Sequence, residues 1–483
     1  MWPRCRNVKR GLMAGLLALS GLAQAAASAE TESSLAEQQA QLMKGAYLEP
    51  PFVCNALADP QLYADGAMAS MRQLIAGKEF WFFRTEVDLQ QRFPLSSLAK
   101  SAFAQLVAAL AERDVQLVVM LQPTRGLMHA DELVQPWRGS YPLAEVRRAY
   151  WRKAQAMMQQ GAMVADMDPV LRSADEGEYF FRRDHHWTPF GADVSARQVA
   201  QVMLADPRIQ RIPEVAFETH EGILLRKMGT LNVAVASVCG NGYGFQWVRG
   251  YDTVPSEGAD SADALFGDAS EPQIALIGTS NSDNRDERYK NYNFHGFLQQ
   301  YLSRDVVNFA MTGGGAMGAL QEFLYSPAYQ EEQFRYLVWE LPVNFDLEEP
   351  EVWREVLPAA AGGCRDRSAY ATGAVTLPVS ERDQRVEVLA NAGERRRQTA
   401  GRGSMTLDVT FSDSAFRHFY VLAYYDDGQR EKVRIRRPAR LDTGRFTLRL
   451  DPPSQDANLL SVLLELEQPV TTALTVEATL CDY

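Results

Sequence analysis

The sequence lacks an excess of basic residues, because its 61 aspartates and glutamates outnumber its 49 lysines and arginines and give a formal net charge of -12. A general nucleic-acid binder needs a dominant positive field, so this balance argues against that class. With 46% hydrophobic and 23% charged residues, the chain also lacks the bias of a disordered or fibrous protein. Its 483 residues are enough for two or three domains with sizeable cores.

Long hydrophobic runs are missing as well, since no segment reaches the roughly 20 apolar residues that a transmembrane helix requires. At the amino terminus, four basic residues precede the short apolar run 11–22, and small residues follow at 23–29. This layout is typical of a secretory signal, whose removal changes the net charge from -12 to -16 because four positive charges leave with it. We therefore expect residues 1–29 to be a cleaved signal peptide, and the mature protein to be soluble outside the cytoplasm with no permanent membrane anchor.

Cysteine is scarce, and the spacing Cys-x-x-Cys does not occur, which argues against a zinc ribbon or a thioredoxin-like redox site. Beyond the signal, Cys54, Cys239, Cys364 and Cys481 form an even set, as expected where disulfides are stable. Four cysteines allow three pairings. We favour Cys54 with Cys239 and Cys364 with Cys481, because each bond then closes one loop within one half of the chain.

From about residue 30 to residue 345, short apolar runs alternate with stretches of helical periodicity. This alternation is typical of an α/β domain with a mostly parallel sheet. The predicted buried strands are 80–83, 115–121, 274–277 and 336–341, and the predicted helices are 98–113 and 144–160.

The pattern changes after residues 350–372, where Pro358 precedes a run of alanines and glycines that predicts a linker. Short alternating runs follow at 405–411, 419–425, 432–436, 446–450, 459–466 and 474–480. They predict an all-β sandwich of about 110 residues. The expected divisions are therefore 1–29 for the signal, 30–355 for the α/β domain and 356–483 for the β sandwich.

One stretch of this acidic chain is basic: residues 395–449 hold thirteen lysines and arginines against six aspartates and glutamates, a balance of +7. Within the strand 432–436, alternation sends Val433 and Ile435 inward, and Lys432, Arg434 and Arg436 outward on one face. A solvated sheet face and an anion-binding face both explain this pattern.

Histidine is rare, which narrows the search for a catalytic base. The six histidines are His129, His185, His186, His220, His295 and His418. In an extended segment, Asp184 and His186 would face one pocket while His185 faces away. A carboxylate beside an imidazole fixes its tautomer and stabilises the imidazolium formed during base catalysis. The structural alternative is a buried, hydrogen-bonded histidine beside Trp187.

A nucleophile can follow the apolar run 274–277, because Gly278 permits a sharp turn that presents Ser280 at the carboxyl edge of the sheet. No glycine follows the serine, so the segment differs from the Gly-x-Ser-x-Gly elbow, and an ordinary turn with a helix cap is the alternative. A serine hydroxyl needs a base to become nucleophilic, so Ser280, His186 and Asp184 together predict a catalytic triad.

Oxyanion stabilisation requires backbone amides near the serine, and we expect those of Ser280, Gly313 and Gly314 to supply them. The glycines can equally form an ordinary flexible turn. We predict no metal site, because adjacent histidines on opposite faces rarely share an ion and no His-x-x-x-His or cysteine cluster accompanies them.

With Asp184-His185-His186-Trp187-Thr188, Gly278-Thr279-Ser280, residues 293–299 and the signal, the sequence resembles the alginate O-acetyltransferases of the AlgX and AlgJ type. In having a β domain at the carboxyl terminus, the sequence resembles the AlgX type in particular. The resemblance implies an SGNH-hydrolase-like catalytic domain in permuted order, followed by a carbohydrate-binding module. Asp184 matches the family's acidic residue, His186 its base and Ser280 its acyl-accepting serine, although the spacing Asp-x-His departs from the Asp-x-x-His of ordinary SGNH esterases.

The resemblance further implies a periplasmic enzyme that acetylates mannuronate residues of alginate within a secretion complex of several proteins, without a cofactor. Such a polymer carries a carboxylate on every sugar, which would explain the basic stretch. We therefore expect Arg417, Arg434 and Arg436 to contact the polysaccharide and Tyr425 to offer a stacking surface. The alternatives are an esterase that removes acetyl groups, and a polymer-binding scaffold without catalytic activity.

Overall fold

The computed structural model describes residues 54–172, 177–240, 242–256, 271–283, 292–380, 384–390, 404–437, 441, 443–454 and 457–483. The expected signal peptide lies outside these residues. The strands are β1 (Leu74–Ala76), β2 (Phe82–Arg84), β3 (Gln116–Gln122), β4 (Met163–Val164), β5 (Phe217–Lys227), β6 (Gln246–Pro255), β7 (Ile274–Ile277), β8 (Val306–Asn308), β9 (Tyr336–Pro342), β10 (Ala369–Leu377), β11 (Arg385–Ala390), β12 (Met405–Phe411), β13 (His418–Tyr425), β14 (Arg430–Arg436), β15 (Arg445–Leu450), β16 (Leu459–Leu466) and β17 (Leu474–Asp482).

The helices lie mostly in the first two thirds of the chain. They are α1 (Ser97–Glu112), α2 (Arg125–Met128), α3 (Trp137–Ser140), α4 (Leu143–Gln159), α5 (Asp168–Arg172), α6 (Pro189–Leu204), α7 (Thr230–Cys239), α8 (Phe294–Leu302), α9 (Gly318–Tyr325), α10 (Pro327–Gln330) and α11 (Pro350–Ala360), with short 3-10 turns between some of them. None of the helices in the described part of the chain combines the length and the apolar character needed to cross a membrane.

A five-stranded parallel sheet with the order β4-β3-β9-β7-β8 forms the centre of the α/β domain. Every residue of β7 and β9 is buried, as expected for strands covered on both faces. Both predicted long helices are confirmed: α1 begins after the cap Ser96, whose hydroxyl accepts from the Ala99 amide, and α4 starts one residue before its predicted bound. The parallel arrangement brings the carboxyl ends of β7, β8 and β9 to one edge.

The predicted strand 80–83 is only partly correct. Phe80 has a positive φ of 69° and precedes the strand, which covers Phe82–Arg84. This strand pairs antiparallel with β1 and takes no part in the parallel sheet. The long hairpin of β5 and β6 was not predicted, because most of its residues are at least partly exposed and it lacks a continuous buried run.

Two antiparallel four-stranded sheets, β10-β17-β12-β15 and β11-β16-β13-β14, form the carboxyl-terminal region and enclose a separate apolar core. All six strands predicted there are present. Sequence reasoning missed β10, which is rich in alanine, glycine and threonine, and β11, which is interrupted by a bulge at 387–389. The all-β prediction is confirmed.

The predicted linker at 350–372 is wrong in its first half, because residues 350–360 form helix α11. Trp353, Val356 and Leu357 are buried, and Pro358 lies in the last turn of the helix. The apolar face of α11 faces the core of the α/β domain. The expected division between residues 355 and 356 therefore falls inside a helix.

Both favoured disulfides are present, Cys54–Cys239 and Cys364–Cys481. The first joins the start of the described chain to the end of α7. The second joins the segment after α11 to β17, the last strand of the sandwich.

Candidate active site

Ser280 and His186 meet at the carboxyl edge of the parallel sheet although 94 residues separate them. Ser280 lies in the turn directly after β7, and His186 in the segment between the bridged residues Phe180 and Trp187. The Ser280 Oγ lies 2.8 Å from His186 Nε2, and the other ring nitrogen, Nδ1, lies 2.5 Å from Asp184 Oδ1. The three predicted side chains thus form one continuous hydrogen-bonded row.

Asn281 fixes the turn of Ser280 to the segment of His186. The Trp187 amide donates to Asn281 Oδ1 at 3.1 Å, and the indole Nε1 donates to the Asn281 carbonyl at 2.9 Å. From the sheet side, the Asn281 side chain donates to Gln122 at the end of β3. Sequence reasoning missed Asn281, whose role depends on contacts between distant segments.

Arg125 holds the other side of the histidine segment. Its buried guanidinium donates to the carbonyl oxygens of Phe181, at 2.6 Å, and of Asp184, and lies 3.6 Å from Asp88. An arginine buried with a carboxylate partner and two carbonyl acceptors fixes backbone geometry that a solvated loop would not keep. The segment is therefore organised before any substrate binds.

The Asp184 carboxylate is surrounded by donors. Oδ1 also accepts from the His186 amide at 2.9 Å, Oδ2 accepts from the Thr230 amide at 2.9 Å, and Lys227 Nζ lies 3.7 Å away. Burial works to raise the pKa of Asp184, but His186 and Lys227 overcome it and hold that pKa well below its usual range. Asp184 is therefore ionised at neutral pH, as an orienting carboxylate requires.

Burial lowers the pKa of His186, although the Asp184 carboxylate opposes the shift. The imidazole is therefore neutral at neutral pH. Its Nδ1–H donates to Asp184, which leaves Nε2 to accept the Ser280 proton. The arrangement can remove the proton of a serine hydroxyl, which is the first step of nucleophilic catalysis.

The prediction that His185 faces away is wrong. Its ring lies against that of His186, with centroids 3.8 Å apart, and its Nδ1 lies 2.6 Å from Thr230 Oγ1. Residues 182–186 form turns and bends, so the alternation of an extended strand does not apply to them. One polar atom each of Asp184, His185 and His186 lies within 4.8 Å of the others, so the geometric argument against a metal fails too. The Asp184 and His186 atoms are nevertheless bonded to each other, and the absence of a metal remains a prediction.

The three residues predicted to stabilise the oxyanion differ in how well their backbone amides suit that role. The Ser280 amide donates no hydrogen bond to the described residues, which suits that role. The Gly314 amide instead donates to the Met311 carbonyl at 3.4 Å within its own turn, which counts against Gly314. The Met311 amide donates to the Gly278 carbonyl at 3.0 Å, so the two loops adjoin. The role of Gly313 remains a prediction.

A cavity of about 550 Å³ opens beside the triad, with Asp184 and His186 in its wall. Its remaining lining is mostly apolar and includes Met68, Met71 and Met228. The lining includes the acid and the base of the predicted triad but not Ser280.

On the sandwich, β14 alternates as predicted, with Val433 and Ile435 buried and Lys432, Arg434 and Arg436 exposed. The first two cations have acidic partners on β16 and just beyond it, Lys432 with Glu465 at 2.7 Å and Arg434 with Glu467 at 2.8 Å. Both also lie over the ring of Tyr420, 4.0 and 5.3 Å from its centroid.

The prediction that Tyr425 offers a stacking surface is wrong. The residue is 2% exposed, belongs to the sandwich core and donates its hydroxyl proton to Glu431. Phe419, Val421 and Ala423 are buried on the same face, so the alternation of β13 already places Tyr425 inside and Tyr420 outside. Tyr420 is therefore an aromatic residue on the basic face, and Tyr424 lies on the same side of β13.

The other two predicted contact residues lie where the end of β14 adjoins the start of β13, since His418 pairs with Arg436 and the Arg437 amide donates to the Arg417 carbonyl at 3.3 Å. Arg436 lines a cavity of about 430 Å³ with Gly314, Gly315 and Trp353, which places it beside the loop that follows β8. Arg417 precedes β13, and its amide donates to Gln468 at 2.9 Å.

Family models match two parts of the chain. Residues 74–343 match the SGNH hydrolase-like domain of the acetyltransferase AlgX, and residues 363–483 match a carboxyl-terminal carbohydrate-binding module. The chain is 32% identical to the alginate biosynthesis protein AlgX of Pseudomonas aeruginosa over 433 residues, which cover 89% of this chain and 88% of that protein. It is 31% identical to AlgX of Pseudomonas syringae pv. tomato over 470 residues, covering 96% and 95%.

Further comparisons agree with these matches. The chain is 28% identical to the probable alginate O-acetylase AlgJ of Pseudomonas putida over 283 residues, which cover 56% of this chain and 70% of that protein. A solved structure of AlgX from Pseudomonas aeruginosa superimposes with a TM-score of 0.79 at 31% identity, covering 89% of this chain and all of that one. The chain therefore belongs to the AlgX family, with an SGNH hydrolase-like domain followed by a carbohydrate-binding module.

Proposed function

We propose that the chain is a periplasmic O-acetyltransferase that acetylates mannuronate residues of alginate through an acetyl-Ser280 intermediate. The observation that carries this proposal is the row Ser280, His186, Asp184, with Oγ–Nε2 and Nδ1–Oδ1 distances of 2.8 and 2.5 Å. The relatives named probable alginate O-acetylases support the reaction class, and the carbohydrate-binding module supports a polysaccharide substrate. The two disulfides support an oxidising compartment.

The first half-reaction loads the serine. His186 Nε2 takes the hydroxyl proton as Ser280 Oγ bonds to the carbonyl carbon of an acetyl ester. The tetrahedral oxyanion accepts a hydrogen bond from the Ser280 amide, and Asp184 stabilises the imidazolium. The bond from the acetyl carbon to the leaving oxygen of the donor then breaks, and that oxygen takes the proton from His186.

The second half-reaction transfers the acetyl group from Ser280 to the sugar. A mannuronate hydroxyl gives its proton to His186 Nε2 while its oxygen bonds to the acetyl carbon. The bond from that carbon to Ser280 Oγ breaks, and the serine recovers the proton. The acetyl group has then moved from donor to sugar, and the enzyme returns to its starting state.

The sandwich holds the acceptor in this proposal. The anionic polymer meets the outer face of β14 near Lys432, Arg434 and Tyr420, and other proteins of alginate acetylation and secretion deliver the acetyl group and receive the product. Both cations already have acidic partners, so polymer carboxylates compete with Glu465 and Glu467 and binding is salt-sensitive.

The test is acetylation of oligomannuronate by an activated acetyl ester, read by mass spectrometry of both sugar and protein. Wild-type chain should yield acetylated sugar and a transient acetyl adduct on Ser280, while Ser280→Ala yields neither. Ser101→Ala, at an exposed serine of α1, is the matched control and should behave as wild type.

Three other results would contradict the proposal, each in a different way. Free acetate without acetylated sugar would assign the chain to esterases, since water would then replace the sugar. Equal transfer by wild type and Ser280→Ala would refute the serine mechanism. Polymer binding without any adduct would favour a scaffold.

A further inference from the structure

A buried carboxyl group beneath the nucleophile takes no part in the triad. Glu340 lies in β9, is 0% exposed and directly follows Trp339, which is paired with Ile277 of β7. Glu340 therefore lies beside Gly278, the first residue after β7. A Cβ atom at position 278 would come within 2.6 Å of Glu340 Oε2, so glycine is what permits this close approach.

The hydrogen-bond donors to Glu340 come from the turn that contains Ser280. Oε2 accepts from the Thr279 amide at 2.6 Å, from the Thr279 hydroxyl at 2.9 Å and from the Ser282 hydroxyl at 3.2 Å. Burial raises the pKa of Glu340 to about 7, and the groups that oppose the shift are the donors of this turn rather than a cation. The bonded residues lie one position before and two positions after Ser280.

A second buried carboxyl group shows what a purely structural role looks like. Glu355 of α11 lies 3.4 Å from the Arg437 guanidinium and hydrogen-bonds with Gln321. Burial raises the pKa of Glu355 as well, and Arg437 opposes that shift. Glu355 thus has a cationic partner and joins the α/β domain to the sandwich, whereas the side-chain and amide donors that Glu340 accepts among the described residues belong to the turn of Ser280.

On the basis of the proposed function, we propose that Glu340 is a positioning residue, whose carboxyl group fixes the turn 279–282 so that the Ser280 hydroxyl points at His186. The turn is then held from two sides, by Glu340 from the sheet and by Trp187, through Asn281, from the histidine segment. A displacement of about 1 Å at a reacting group can reduce a rate by about 10²-fold. Glu340→Gln keeps one carbonyl oxygen with two lone pairs, whereas Glu340 Oε2 now accepts three donors, so at least one donor of Thr279 or Ser282 loses its acceptor and the turn is free to shift.

The experiment compares Glu340→Gln with Glu355→Gln in the full chain. Acylation by p-nitrophenyl acetate gives kcat and KM, and thermal unfolding gives Tm. We expect Glu340→Gln to lower kcat by about 10- to 100-fold with KM within about twofold of wild type. Glu355→Gln, the matched control, should lower Tm and leave kcat unchanged. A wild-type kcat in folded Glu340→Gln would overturn the proposal.

A second variant and a second probe cover the remaining cases. Ser282→Ala removes one donor to Glu340 and leaves Glu340 in place. It therefore decides the question if Glu340→Gln does not fold, with a fall in kcat expected and a wild-type kcat as the overturning result. Sulfonylation of Ser280 by phenylmethylsulfonyl fluoride measures serine reactivity without acetyl transfer. Failure of the proposed function abolishes acetylation but leaves sulfonylation sensitive to Glu340, whereas failure of the positioning role leaves sulfonylation equal in both proteins.

Discussion

The edge of the parallel sheet and the basic face of the sandwich both gather charged side chains, but they hold them differently. At the sheet edge, Asp184 and His186 are buried and bonded to each other and to distant backbone. On β14, Lys432 and Arg434 are about 40% exposed and pair with Glu465 of β16 and with Glu467 just beyond it. Buried pairs cannot exchange their partners for water, whereas exposed pairs can.

This difference predicts where substitutions matter. Removing one member of the buried row leaves an uncompensated group and a misaligned nucleophile, so the loss is large and falls on the chemical step. Removing an exposed cation frees a carboxylate that water solvates, so the loss is small and falls on binding and its salt dependence.

The largest expected effect comes from Asp184→Asn. The amide cannot accept from His186 Nδ1–H as a carboxylate does and favours the wrong imidazole tautomer, which in a serine triad costs about 10⁴-fold in kcat. Acylation by p-nitrophenyl acetate measures it. Asp168→Asn, which removes a partly exposed carboxylate paired with Arg172 of α5, is the control and should retain the wild-type rate. Equal rates in both variants would mean that Asp184 is only structural.

Removing the two disulfides should separate the regions by stability. Each bond closes a long loop, and losing it should cost about 2–5 kcal/mol of unfolding free energy. The Cys54–Cys239 bond holds the last residue of α7, and the amide of the first residue, Thr230, donates to Asp184. The double variant Cys54→Ser with Cys239→Ser should therefore lower both the stability and the acylation rate.

The matched double variant, Cys364→Ser with Cys481→Ser, should destabilise the sandwich and leave acylation near wild type. Denaturant titrations of both proteins, with rates measured before unfolding begins, test this. A selective loss of acylation in the second protein would show that the sandwich supports the triad.

Lowering the pH should change the stability contributions of two buried groups of the α/β domain, His129 and Glu340, in opposite directions. Burial lowers the pKa of His129 well below its usual range, so the unfolded chain takes up a proton near pH 6.5 that the folded chain does not, and stability falls below that pH. Burial raises the pKa of Glu340 to about 7, so folded protein binds this proton first, and stability rises from pH 7 towards pH 4.5.

Single substitutions should reveal the two contributions. Between pH 7 and pH 5, His129→Gln should lose stability less steeply than wild type, and Glu340→Gln more steeply, with about 1.4 kcal/mol per pH unit as the upper limit for one group. Urea unfolding at several pH values measures these slopes. Slopes equal to that of wild type would show that these groups titrate alike in the folded and unfolded chains.

Sequence reasoning was most successful where one segment decides the outcome. Buried apolar runs predicted β3, β7 and β9, and simple alternation predicted the faces of β14. It failed where tertiary contacts override local pattern: His185 stacks on His186 because a turn replaces an extended segment. Glu340 left one signal, a lone charge in the otherwise apolar run 336–342, but its partners belong to a turn about 60 residues away.

The smallest expected effect concerns the basic face, where a solvated surface and an anion-binding surface remain rival explanations. Lys432→Glu with Arg434→Glu should weaken binding of oligomannuronate about tenfold, or about 1.4 kcal/mol, at low salt and less at high salt. Titration calorimetry at both salt concentrations measures it. Arg148→Glu with Arg172→Glu makes the same charge change at exposed sites of the α/β domain. If both pairs weaken binding equally, only net charge matters and β14 is a solvated face, whereas a loss confined to the first pair places the polymer on the sandwich.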